Sequence, residues 1–184
     1  MLIGTTLALV VLAAPAAAGT SSHALKSSFG NGTWRVGINI AAGTYRTRQA
    51  PTSCYWERLS GFSGDFDDII ANDFSSGYQV VTINPSDMGF KSSRCGKWTS
   101  NLSRVTTSTT SFGQGTFIVG TDMDPGTYQS SKGKSCYWER LSGFSGEFDD
   151  IIANDFLSGG RAIVTIEPGD VGFHSSRCGT WKRI

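Results

Sequence analysis

Residues 54–74 read CYWERLSGFSGDFDDIIANDF and residues 136–156 read CYWERLSGFSGEFDDIIANDF, one stretch written twice with a single change, Asp65 to Glu147. CYWERL and DIIAND are short, aromatic or β-branched runs. Between them lies a turn-rich SGFSG, and no window sustains the apolar spacing of three and four that a helix needs. Within CYWERL the residues alternate, Cys54, Trp56 and Arg58 against Tyr55, Glu57 and Leu59, as a strand demands. The block therefore reads as β structure, present in two copies.

The repeat continues on both sides. Gly30 to Tyr45 aligns with Gly113 to Tyr128 at 8 of 16 positions, and Val80 to Trp98 aligns with Ile163 to Trp181 at 13 of 19, against 20 of 21 in the opening block. AAGTY and DPGTY are tight turns feeding strands, with Pro125 suited to the first central turn position and Gly126 to a positive φ. TWRVGI, TYRTR, YQVVTI and MGFKSS complete a set of short strands in each copy. The expected fold is all-β: two small tandem domains, each a β-sandwich or partly open barrel, over residues 30–98 and 113–184. Residues 99–112 are Ser/Thr-rich and read as a linker.

The ends and the cysteines place the chain outside the cell. Met1 opens an uncharged apolar segment that finishes in small residues at Ala16 to Ala18, the anatomy of a secretory signal over 1–18. It is shorter than the roughly 20 apolar residues of a spanning helix, and no later stretch replaces it. The mature chain is expected to lack a membrane span. Four cysteines in an oxidising compartment imply disulfides, and the duplication selects one of three pairings: Cys54 with Cys95, and Cys136 with Cys178. Each bridge braces a unit of about 70 residues, close to the lower limit for an independent core. A zinc site has little support, since no two cysteines stand in C-x-x-C spacing.

A net charge of +1 leaves no electrostatic footprint for nucleic acid. Acids crowd the block around residues 57–73, whereas Lys91, Arg94 and Lys97 surround the second cysteine. Glu57 with Arg94 and Glu139 with Arg177 are the expected ion pairs beside the bridges. Asp65, Asp67 and Asp68, with Glu147, Asp149 and Asp150 in the second copy, offer oxygen ligands suited to calcium, though not in EF-hand spacing. They are read first as a solvated acidic turn, and no cofactor is expected.

Catalysis has weak support, because His174 aligns with Lys91, His23 stands near the processing site, and every cysteine is assigned to a bridge. A carboxylate pair such as Glu57 with Asp68 keeps an envelope-glycan hydrolase as the rival reading. An inhibitor presenting the SGFSG loop is a third. The aromatic residues favour binding: Tyr55, Trp56, Glu57 and Arg58, repeated as Tyr137, Trp138, Glu139 and Arg140, are expected to form exposed platforms for glycan or protein. Two such sites on one flexible chain would raise avidity.

VGINIAAGTY or VGTDMDPGTY, with CYWERLSGF, DDIIAND and SSRCGTW, resembles a repeat of small exported actinobacterial proteins, present singly or in tandem. The resemblance covers nearly the whole mature chain. It implies an envelope or extracellular location and supplies no catalytic residues. INIAAGTY departs from the usual Asp and Pro of that turn, which implies a conformational role for Asn39 and Ala42. The expected function is a secreted, non-catalytic binding or adhesion module of the bacterial surface, with cell-wall glycan or an envelope protein as partner.

Overall fold

The structure is a computed structural model that describes Met1 and residues 24–184, so the expected signal segment and His23 lie outside the described residues. The first repeat consists of β1 (Ser28–Phe29), β2 (Gly32–Arg35), β3 (Gly43–Thr47), β4 (Cys54–Leu59), β5 (Ile69–Ser75), β6 (Val80–Ile83), β7 (Gly89–Ser93) and β8 (Trp98–Thr99). The second repeats the series as β9 (Ser111–Phe112), β10 (Gly115–Ile118), β11 (Gly126–Ser130), β12 (Cys136–Leu141), β13 (Ile151–Leu157), β14 (Ile163–Ile166), β15 (Gly172–Ser176) and β16 (Trp181–Arg183). A single 3₁₀ turn precedes β5 at Phe66–Asp68 and β13 at Phe148–Asp150.

Each repeat is a sandwich of two four-stranded antiparallel sheets, ordered β1-β8-β3-β6 over β2-β7-β4-β5 and β9-β16-β11-β14 over β10-β15-β12-β13. Among the described residues neither pair closes into a barrel. The turn chemistry works as the sequence predicts: Gly126 starts β11 at φ 151°, a conformation that side chains disfavour. The ends of the units differ from the sequence reading. Ser28–Phe29 pairs with Trp98–Thr99, and Ser111–Phe112 pairs with Trp181 and Lys182. Ser28, Thr99 and Ser111–Phe112 therefore belong to the sheets, a polar run being enough for a short edge strand whose Phe reaches the core.

The two cores are copies of one another. Phe29, Tyr45, Phe90 and Trp98 in the first correspond to Phe112, Tyr128, Phe173 and Trp181 in the second. Phe90 meets Trp98 edge-on at 5.3 Å, and Phe173 meets Trp181 at 5.2 Å. The two fully buried indoles each find a serine, Trp98 Nε1 donating to Ser92 Oγ and Trp181 Nε1 to Ser175 Oγ, which removes the cost of burying an unpaired N–H at those positions. The bridges form within copies, Cys54–Cys95 and Cys136–Cys178, and sit inside these clusters.

The repeats are packed against each other, which overturns the expectation of a flexible tether. Val80 of the first repeat joins Leu141 and Phe144 of the second in a third apolar cluster. Tyr78 reaches the second core and meets Phe117 edge-on at 6.1 Å. The backbones approach so closely that a Cβ on Gly77 would collide with the Gln114 carbonyl. Arg46 Nη2 donates to Asp122 Oδ2 at 2.8 Å with both side chains fully buried. The linker is clamped in the same place: the Leu102 and Ser103 carbonyls accept from Arg46 Nη1, and Val105 N–H donates to Asp122. A Ser/Thr-rich composition marks a connection, but these backbone bonds hold it rigid.

Candidate inter-repeat cleft

The site is built by strand alternation on the outer face of one sheet in each repeat. In the second repeat, pairing sets Thr116 opposite His174, His174 opposite Glu139, and Glu139 opposite Asn154, a polar row across four strands. Tyr137, Phe156 and Ser176 form the adjacent row. Thr116 Oγ1 and His174 Nδ1 share a hydrogen bond of 2.9 Å, Tyr137 donates to Glu139 Oε1 at 2.5 Å, and Asn154 Nδ2 donates to the Tyr137 hydroxyl at 3.1 Å. The first repeat sets Thr33, Lys91, Glu57 and Asn72 in the same order. There Lys91 Nζ pairs with Glu57 Oε1 at 2.8 Å, and Tyr55 donates to Glu57 Oε2 at 2.5 Å.

The two rows face different surroundings. That of the second repeat forms one wall of a cleft of about 390 Å³, whose other wall comes from Asp73, Phe74, Ser75 and Val80 of the first repeat. Thr33, Lys91 and Glu57 of the first repeat's row line a cleft of about 380 Å³ shared with Phe62, Phe66 and Asp68 and, among the described residues, faced by no second unit. Aromatic rings stand out around both. Phe66 and Phe148 are each 91% exposed, Phe74 64% and Phe156 63%, and Phe74, Phe148 and Phe156 rim the cleft between the repeats.

The expected platforms are mostly interior. Trp56, Glu57 and Arg58 are 4%, 5% and 1% exposed, because β4 lies between β7 and β5 and turns Cys54 and Trp56 into the core. Arg58 is held by Asp87 through two bonds of 2.8 Å and donates across the repeat boundary to the Ser145 carbonyl and to Glu147. Trp138, Glu139 and Arg140 are half-buried, and Trp138 packs on Phe173. Of the eight residues, Tyr55 and Glu57 reach the first cleft, while Tyr137, Glu139 and the ring of Trp56 line the second. The expected pairs Glu57–Arg94 and Glu139–Arg177 do not form. Register sets Lys91 and His174 opposite those carboxylates, and Arg94 instead lies 5.9 Å from the Phe74 ring.

The acidic turns close on themselves. Asp68 accepts from the Ser63 N–H and hydroxyl, and Asp150 likewise from Ser145. The Ser63 hydroxyl, with neighbouring backbone N–H groups, holds the Asp68 carboxyl below its ordinary range. Among the described residues no three His, Cys, Asp or Glu side chains gather as metal ligands. Of the calcium candidates Asp65, Asp67, Asp68, Glu147, Asp149 and Asp150, Asp68 and Asp150 spend their carboxylates on loop closure.

The duplicated folds, the paired bridges and the doubled rows all describe one unit written twice. A single family model, the Rv1352-like extracellular domain, matches residues 26–99 and again 109–182. The chain belongs to this family. Its tandem organisation and extracellular location follow, and among the described residues no helix is long and apolar enough to cross a membrane. No curated protein and no solved structure matches the chain.

Sequence reasoning missed the exposed phenylalanines and His174 as cleft residues. Alternation along IIANDF was the available signal: it sets Phe74 on the face of Asn72, opposite the buried Ala71, and Phe156 on the face of Asn154, opposite the half-buried Ala153. Phe66 and Phe148, each enclosed by acids, had no apolar partner in the pattern.

Burial, and secondarily the bond to Glu139, pushes the Tyr137 hydroxyl up to about 12. A pKa raised on folding favours the folded state fully below the ordinary tyrosine value and loses that contribution as pH climbs through the folded one. Stability of the wild-type chain should therefore fall between about pH 10 and 12 more steeply than that of Tyr137→Phe. Denaturant midpoints measured across that range check this, and parallel curves would refute it.

Proposed function

We propose that the protein is a non-catalytic extracellular binding module whose inter-repeat cleft takes a polyhydroxylated ligand, a glycan of the cell envelope. The observation that carries this reading is the cleft itself: a set of hydrogen-bonding side chains from two neighbouring rows on one wall, Thr116, His174, Glu139 and Tyr137, rimmed by the solvent-facing rings of Phe74 and Phe156. Sugar rings offer hydroxyls to such a set and C–H faces to such rings. Each carboxylate that the second repeat brings to the cleft has a partner: Glu139 accepts from Tyr137, Asp150 from Ser145 and Glu147 from Arg58. Carboxylates held in this way favour retention of a ligand over attack on it.

Retention on purified envelope glycan tests the proposal. The wild-type chain should bind, Phe74→Ala/Phe156→Ala should bind about tenfold or more weakly, equivalent to about 1.4 kcal/mol, and no soluble saccharide should be released. Undiminished retention by the double variant would refute the cleft as the site. Released saccharide, lost in Glu139→Gln, would establish hydrolysis instead.

A further inference from the structure

The contact between the repeats is heterologous: one face of the first unit meets a different face of the second. The donor face is Trp56, Arg58 and Val80. The acceptor face is Leu141, Phe144, Ser145 and Glu147. Every unit carries both faces, and the chain uses each once. The unused donor face in the second repeat is Trp138, Arg140 and Ile163, and the unused acceptor face in the first is Leu59, Phe62, Ser63 and Asp65.

We infer that a second copy of this chain occupies these faces, the donor face of one molecule docking on the acceptor face of the next. Several observations support it. Arg58 uses Nε and Nη2 for Asp87 and turns Nη1 to Ser145 and Glu147. Arg140 makes the same fork with Asp170 and leaves Nη1 without a partner among the described residues. Asp65 is exposed and its carboxylate is likewise unbonded. Val80 is 4% exposed beneath Phe144, whereas Ile163 at the same register is 59% exposed. The opening block contains the polar part of both faces. The block differs at one position, and there Asp65 keeps the acid that Glu147 supplies to the internal contact.

The contact between molecules lacks several parts of the internal one. Arg161 stands where Tyr78 plugs the second core, and Arg35, which lies 4.7 Å from the Phe62 ring, stands in place of Ile118. Gln129 and Asn39 replace the buried pair of Arg46 and Asp122. The association is therefore weaker than the internal contact and depends on concentration, since no linker supplies a high local one. A heterologous contact forms rings or open chains, not closed pairs.

Sedimentation equilibrium of the mature chain from micromolar to millimolar tests it. The wild-type mass should rise at least twofold across the range, and the rise should shrink with added salt. Asp65→Arg, at an exposed carboxylate, and Ile163→Arg, at an exposed edge position, should each stay single. An equimolar mixture of the two should stop at a dimer, because one intact donor face and one intact acceptor face remain. A wild-type chain that stays single throughout leaves these faces to another occupant and overturns the inference. So does association that persists in both variants, or a mixture that grows beyond two.

Discussion

Asp122→Ala should lose about 3 to 5 kcal/mol of stability, the range expected when one partner of a buried ion pair is removed. Asp122 accepts from Arg46 Nη2 at 2.8 Å, from Ile118 N–H at 2.8 Å and from Val105 N–H at 3.0 Å. Its removal strands a guanidinium that has no neutral form at accessible pH, 0% exposed and left with two carbonyls. It also releases the linker and the start of the turn after β10. Replacing both partners, as Arg46→Met/Asp122→Leu, should recover part of the loss, because two apolar side chains need no compensation. The two N–H groups that lose Asp122 limit the recovery. Denaturant unfolding followed by tryptophan fluorescence measures these differences, and an Asp122→Ala chain within about 1 kcal/mol of wild type would show that the junction contributes little. By contrast, the Lys91–Glu57 pair has a half-exposed lysine, and breaking it should cost only about 0 to 1 kcal/mol.

Cys54→Ser/Cys95→Ser and Cys136→Ser/Cys178→Ser should each lose about 4 kcal/mol, the chain-entropy value for closing a loop of some forty residues. The sequence separations are 41 and 42, so the two lesions should be equal within the error of unfolding measurements. The packing at the junction ties the repeats together: Tyr78 and Val80 of the first are built into clusters of the second. Unfolding of the oxidised protein should accordingly be one transition, and either lesion should lower it as a whole. A second transition left at the wild-type midpoint after one bridge is removed would show the repeats to be independent.

Much of the architecture was legible because it is local. Short β-branched and aromatic runs, turn residues at Gly126 and Pro125, and even cysteine spacing are properties of neighbouring residues. Duplication then halves the pairing problem, since a bridge or register valid in one copy must hold in the other. The candidate site was only half legible. Tyr137 and Glu139 reach the cleft as their face of β12 requires, but Trp56 and Arg58, on the opposite face, turn inward. The ion pairs were missed because Glu57 meets Lys91 by strand register, which depends on where β7 begins, and not on nearness to a cysteine in the sequence.

The sequence by itself determined the duplicated all-β unit, the bridge within each copy and the export context, all consequences of periodicity, turn chemistry and composition. Only the tertiary structure decided how the copies meet. Arg58 and Arg140 stand in identical sequence, yet their side chains are 1% and 20% exposed. The difference arises because the first is covered by the Ser145–Glu147 loop of the second repeat, whereas among the described residues nothing covers the other. Burial of that kind is a property of two folded surfaces in contact, so identical residues acquire different environments that no reading of the block could distinguish.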